Sequence, residues 1–141
     1  MGTRADFYVG RGESAEWIGS IAWDGYPSGG YPETVITATT EEDFRTKVKE
    51  MAAPLDHFTT PEMGWPWPWV TSHTTDYSYA FEDGVVWISC FGRSWKSPTD
   101  ALVEDAWEDE FGDEKPTVFP DMTDRQKATF GHRSGLIVFG A

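Results

Sequence analysis

The chain has 141 residues, a formal net charge of −13 and an aromatic share of 16%, with eight Trp, nine Phe and five Tyr. That length suits one domain with a real core, and so many rings exclude a disordered chain. The negative balance argues against direct binding to nucleic acid or to an anionic membrane, and the lone Cys90 excludes an intrachain disulfide and a multi-cysteine metal site.

The first residues, Met1–Asp6, carry no apolar run of the kind a secretory signal needs. Asp6 stands where a myristoylation motif requires Ser or Thr, and no segment reaches the length of a membrane span. These features point to a cytoplasmic protein. A β-hairpin is expected next, with Asp6–Val9 as its first strand, Gly10–Ala15 (GRGESA) as its loop and Glu16–Trp23 as its return strand. The loop is too long to set the register. The stretch Trp23–Pro32, WDGYPSGGYP, repeats Gly-Tyr-Pro and carries one charge, Asp24. Its Pro and Gly residues exceed what one reversal requires, so it reads as a stiffened loop presenting Tyr26 and Tyr31, with the Asp24 carboxylate accepting backbone N–H groups in an Asx-type turn. Thr34–Ala38 (TVITA) is β-branched and reads as extended, with a short helix as the alternative.

The run Thr40-Glu41-Glu42-Asp43 resembles a capping box and predicts a helix with Phe44, Val48, Met51 and Ala52 on its apolar face, ended at Pro54. Pro54–Thr75 then reads as a loop. Within it, Trp65, Trp67 and Trp69 alternate with Pro and follow an extended path, so their rings cannot all face one way. They read as a lid on the core, or else as exposed rings of the kind found in stacking and interface sites. In Tyr77–Phe91 the Asp83-Gly84 dipeptide predicts a two-residue hairpin turn that pairs Phe81 with Val86, Tyr79 with Ile88 and Tyr77 with Cys90. The hairpin should cover a core with one side, and Cys90, on that side, reads as buried and inert.

A second helix is expected from Ser97 as N-cap and Pro98 at the first helical position, with Leu102, Val103, Ala106, Trp107 and Phe111 as its apolar stripe and Gly112 ending it. Residues 97–114 hold eight carboxylates and no Lys or Arg, so they supply −8 of the net −13. On a helix, Asp100, Glu104, Asp105, Glu108 and Asp109 would occupy the face opposite the stripe. Such a row could imitate DNA phosphates and fill a nucleic-acid-binding groove on another protein, with salt-sensitive association. It also fits an ordinary solvated face, favoured by the helix macrodipole or neutralised by Arg93, Lys96, Arg125, Lys127 and Arg133. Gly135–Phe139 (GLIVF) reads as a buried C-terminal strand. The expected fold is a single α+β domain over residues 1–141: an antiparallel sheet of two or three hairpins with two amphipathic helices on one face.

His57, His73 and His132 show no metal-ligand spacing, and no phosphate loop, Ser elbow or Cys-His signature is present, so no catalytic residue, metal or cofactor is expected. Met1-Gly2-Thr3-Arg4, a first hairpin and then Trp23-Asp24-Gly25-Tyr26-Pro27 resemble a group of small phage, prophage and mobile-element proteins that begin MGTR and carry WDGYP about twenty residues later. The resemblance covers the first thirty or so positions and implies genomic context rather than an activity; after WDGYP the chain departs from the commoner pattern. Together with the acidity, it leads to the expectation of a non-enzymatic accessory protein that binds a host protein with a basic surface, inhibiting a nucleic-acid-handling defence complex as anti-CRISPR proteins do. The partner-binding residues would be Asp100, Glu104, Asp105, Glu108 and Asp109. The alternative is a small-ligand binder or hydrolase with an aromatic pocket around Asp24, formed by Tyr26, Tyr31, Trp65, Trp67 and Trp69, where a carboxylate among rings could serve as general acid or base.

Overall fold

A computed structural model describes residues 3–108 and 117–122. Its centre is a five-stranded mixed sheet in the order β3-β2-β1-β4-β5, where β1 is Ala5–Val9, β2 Glu16–Ile21, β3 Phe58–Thr59, β4 Tyr77–Glu82 and β5 Val85–Cys90. The architecture is α+β, but the sheet is not wholly antiparallel. β1 and β4 run parallel, with Phe7 opposite Tyr79, and join the two hairpins edge to edge. Parallel neighbours need a long connection, here the whole chain from β2 to β4, so no turn signal announces the pairing.

Within the hairpins, local chemistry decides the geometry. Asp83 and Gly84 both take positive φ, 54° and 79°, as a type I′ turn demands. The register is the expected one: Tyr77 faces Cys90, Tyr79 faces Ile88 and Phe81 faces Val86. The first hairpin lacks such a turn and slips by one residue, pairing Phe7 with Gly19 but Tyr8 with Trp17, so Ile18 forms a bulge. The first helix, α1, spans Glu41–Ala52 and is capped as its sequence implies. Thr40 Oγ1 accepts the Asp43 N–H at 3.1 Å, and Phe44, Val48 and Ala52 are buried. Ion pairs Arg45–Glu41 and Lys47–Asp43 support its outer face at i,i+4 spacing.

Thr34–Ala38 is not a strand. Tyr31–Glu33 and Val35–Thr37 form successive 3-10 turns, and Val35 and Ile36 both point inward beside α1. Two adjacent buried side chains fit a helical turn better than a strand, where they would lie on opposite faces.

The second helix also departs from expectation. It starts as read, with Ser97 Oγ accepting the Asp100 N–H at 3.3 Å, but α2 covers only Pro98–Ala101. Leu102 and Val103 are exposed rather than core, and Asp105 takes a left-handed φ of 60°. Local charge opposes a longer helix. Continuing the helix would set Asp100 beside Glu104 and Glu104 beside Glu108 at i,i+4, and like charges at that spacing destabilise helices. Phe111, Gly112, Asp109, His132 and Gly135–Phe139 lie outside the described residues.

Both faces of the sheet are covered, so the hairpins do not bury one side only. Alternation along β1 divides its residues. Ala5 and Phe7 join Ile21, Tyr79 and Ile88 against Phe44 and Val48 of α1, with Val35, Ile36 and Trp107 completing that layer. Tyr8 joins the opposite layer with Trp17, Trp65, Trp67, Ala80, Phe119 and Met122. The Trp-Pro segment is therefore the lid of this second layer. Trp65 meets Trp17 edge to face at 5.2 Å, and the Trp67 and Trp69 rings stack at 5.7 Å.

Candidate functional site

The acidic segment after α2 retains its charge without its helix. Asp100, Glu104, Asp105 and Glu108 are all exposed, and none forms an ion pair among the described residues, where the ion pairs join Arg4 to Asp76, Arg11 to Glu82, Arg45 to Glu16 and Glu41, and Lys47 to Asp43. Leu102 at 48% and Val103 at 58% exposure lie between these acids, so the segment presents apolar as well as acidic groups. It is held at its far end by Trp107, whose Nε1–H donates to the Ser94 carbonyl at 2.8 Å and whose ring meets Tyr77 and Lys96.

The Trp23–Pro32 loop is fixed through its backbone. Gly25 N–H donates to the Thr3 carbonyl, Tyr31 N–H donates to the Asp24 carbonyl at 2.9 Å, and the buried Tyr79 hydroxyl donates to the Gly25 carbonyl at 2.5 Å. A Cβ at Gly30 would stand 2.5 Å from the Asp24 carbonyl oxygen, so only glycine fits there. The expected Asx turn is absent: Asp24 contributes its carbonyl, takes a left-handed φ of 59°, and leaves its side chain exposed. Buried Pro27 and Pro32 alternate with exposed rings, Trp23 at 50%, Tyr26 at 46% and Tyr31 at 39%.

The candidate ligand residues do not form one pocket. Trp65 is wholly buried in the second core layer, with Nε1–H donating to the Trp69 carbonyl, while Trp69 Nε1–H donates to Thr75 Oγ1. Tyr26 leans on Tyr77, edge to face at 6.0 Å, whereas Tyr31 points toward His57 at 5.8 Å. His57, dismissed on spacing, proves central to this side of the loop. Its ring stacks on Trp23 at 4.6 Å and its Nδ1 accepts the Ala22 N–H at 3.1 Å.

Asp6 carries the strongest polar constellation, and sequence reasoning missed it. Its carboxylate is fully buried yet has four donors: Ser20 Oγ–H at 2.5 Å and Trp67 Nε1–H at 2.7 Å reach Oδ1, Ser72 Oγ–H reaches Oδ2 at 2.6 Å, and Thr75 adds a further hydrogen bond. The Tyr8 hydroxyl lies 2.5 Å from Ser72 Oγ, and Trp17 Nε1–H donates to Ser20 Oγ, extending the network. Burial pushes the Asp6 carboxyl above its usual range, while the bonds from Ser20, Ser72, Trp67 and Thr75 pull it back. The signal was legible in principle. A charged residue alternating with Ala5 and Phe7 must face something polar, and indole N–H groups in a buried Trp segment need acceptors. With every partner buried, the network ties β1, β2 and the Trp segment together rather than meeting a substrate.

Cys90 is half-buried rather than enclosed, and lines an open depression of about 510 Å³ with Tyr77, Arg93 and Trp107. Burial, above all, pushes its thiol up and pushes the Tyr77 hydroxyl to about 12, so both stay protonated at neutral pH. Among the described residues no group of three His, Cys, Asp or Glu side chains could hold a metal ion, and no helix is long and apolar enough to cross a membrane. Comparison with known protein families, with curated proteins and with solved structures found no match.

Proposed function

We propose that the chain is a non-enzymatic acidic accessory protein of a phage or mobile element that binds a basic surface on a host protein. The observation that carries the reading is the segment Asp100–Glu108, where Asp100, Glu104, Asp105 and Glu108 are exposed without an ion pair among the described residues. Exposed carboxylates of one sign accelerate encounter with a cationic surface, and Leu102 and Val103 between them supply apolar area once water is displaced. A nucleic-acid-handling complex fits best, because its groove is already shaped for a row of negative charges. The mobile-element context comes from the Met1–Arg4 and Trp23–Pro27 resemblance. Asp24 engages its loop through its carbonyl, and among the described residues no second acid or base pairs with it, which disfavours the hydrolase alternative.

The test is capture from host lysate at low and moderate salt, using the native chain and a variant with Glu104, Asp105 and Glu108 changed to Lys. The native chain should retain a nucleic-acid-binding protein at low salt, lose it as salt rises, and compete with DNA for it. Equal capture by the charge-reversed variant would overturn the reading.

A further inference from the structure

On the other side of the Trp23–Pro32 loop, a second feature is built from residues outside the acidic segment. A small pocket of about 170 Å³ is lined by Asp56, His57, Phe58, Met63, Pro66 and Trp67 among others. Drug-sized ligands occupy about 300–1,000 Å³, so this pocket has room for one side chain. Two of its lining side chains are the aromatic rings of His57 and Trp67, and each is fixed by a separate contact. Trp67 is held by its hydrogen bond to buried Asp6. Phe58, on the short edge strand β3, borders the pocket but turns its ring to the other face of the sheet, against Gly19 and the α1 layer. His57 is held by the Ala22 N–H at Nδ1, a bond that the imidazole accepts only with that nitrogen unprotonated, and Trp23 stacks on its face.

We propose that this pocket is a binding site for a cationic side chain, lysine or arginine, projecting from a partner protein. Ring faces carry negative electrostatic potential and attract ammonium and guanidinium groups. Trp67 is well suited to this, because the Asp6 carboxylate at its N–H edge adds electron density to the indole. The same ring already draws a cation, the Arg4 guanidinium, 5.7 Å from its centroid. Asp56 supplies the acidic group of the lining, and no Lys or Arg lines it, so an anionic group would find no counter-charge there. Exposed Trp23 and Tyr31 flank the site on a loop whose backbone is already fixed, which reduces the entropy lost on binding. Because none of these residues belongs to the Asp100–Glu108 segment, the site and the proposed function can fail separately.

The experiment titrates capped lysine, trimethyllysine, arginine and norleucine into the full chain, following the indole N–H signals of Trp23 and Trp67 by NMR. The cationic probes should give saturable shifts at both indoles, and norleucine, of similar shape but uncharged, should bind about tenfold more weakly. Asp56 is exposed, so D56K should fold, as unchanged Trp17 and Trp65 indole signals would verify, and should abolish binding. Trp23→Ala, also at an exposed position, should weaken it severalfold. An equal response to norleucine, undiminished binding by D56K, or no saturable shift with any cation would each overturn the proposal.

Discussion

Trp67 Nε1–H donates to the Asp6 carboxylate at 2.7 Å across 61 residues of sequence, and both side chains are buried. This bond fastens the Trp-Pro segment to the central strand β1. Removing one partner leaves the other unsatisfied in a low-dielectric layer, so D6A should cost about 3–5 kcal/mol and Trp67→Phe about 1–3 kcal/mol in urea unfolding. A double-mutant cycle should return a coupling of about 1–3 kcal/mol. Additive effects would show that the bond contributes nothing of its own.

The same group sets a pH dependence. Burial raises the folded-state pKa of Asp6 above its ordinary value of 3.8, so the native state binds its proton more tightly than the unfolded state does. The resulting stability is fully present below pH 3.8 and is lost as pH rises through the folded-state pKa. Relative to D6N, which does not titrate, the native chain should be most favoured at low pH and lose that advantage on the way up. A stability difference that is flat with pH, or rises with it, would contradict the assignment.

Gly30 is the tightest point of the Trp23–Pro32 loop, with a Cβ there only 2.5 Å from the Asp24 oxygen and 2.7 Å from the Tyr26 nitrogen. Gly30→Ala must therefore move backbone, and should lower stability by about 1–3 kcal/mol. Gly29, with φ 83° and open space around its Cβ position, should lose about 1 kcal/mol through its left-handed conformation. Thermal unfolding of the two variants separates steric from conformational strain, and the order of the two losses is the check.

If like-charge spacing stops α2 at Ala101, Glu104→Lys should lengthen it. The change turns both the Asp100 and Glu108 relationships from repulsive to attractive, each worth about 0.2–0.5 kcal/mol. Backbone chemical shifts at Leu102–Ala106 should move toward helical values. If they stay put, the left-handed Asp105 and the anchored Trp107 are what end the helix.

Cys90 should react slowly with thiol reagents at neutral pH, because burial pushes its thiol up and only the thiolate attacks. Its rate should keep climbing with pH after an unstructured cysteine peptide has levelled off. Matching profiles would place the thiol in open solvent.

The sequence by itself determined the elements whose instructions are local. Asp83-Gly84 imposed one turn and one register, Thr40 and Asp43 capped α1, Pro54 followed its end, and Ser97-Pro98 started α2. Each depends on groups within a few residues of one another, where backbone geometry leaves few choices. Tertiary structure decided the rest. The parallel pairing of Phe7 with Tyr79, the bulge at Ile18, the 3-10 turns that replaced a strand at Val35 and the burial of Asp6 under Trp67 all join distant segments. Asp24 and Asp6 illustrate the division. Asp24 drew attention through its neighbours in sequence but uses its carbonyl in the fold, whereas Asp6 gained its role from Ser20, Trp67 and Ser72, which packing alone brought to its carboxylate. A buried charge is stable only where donors converge, and convergence of distant donors is a property of the packed chain.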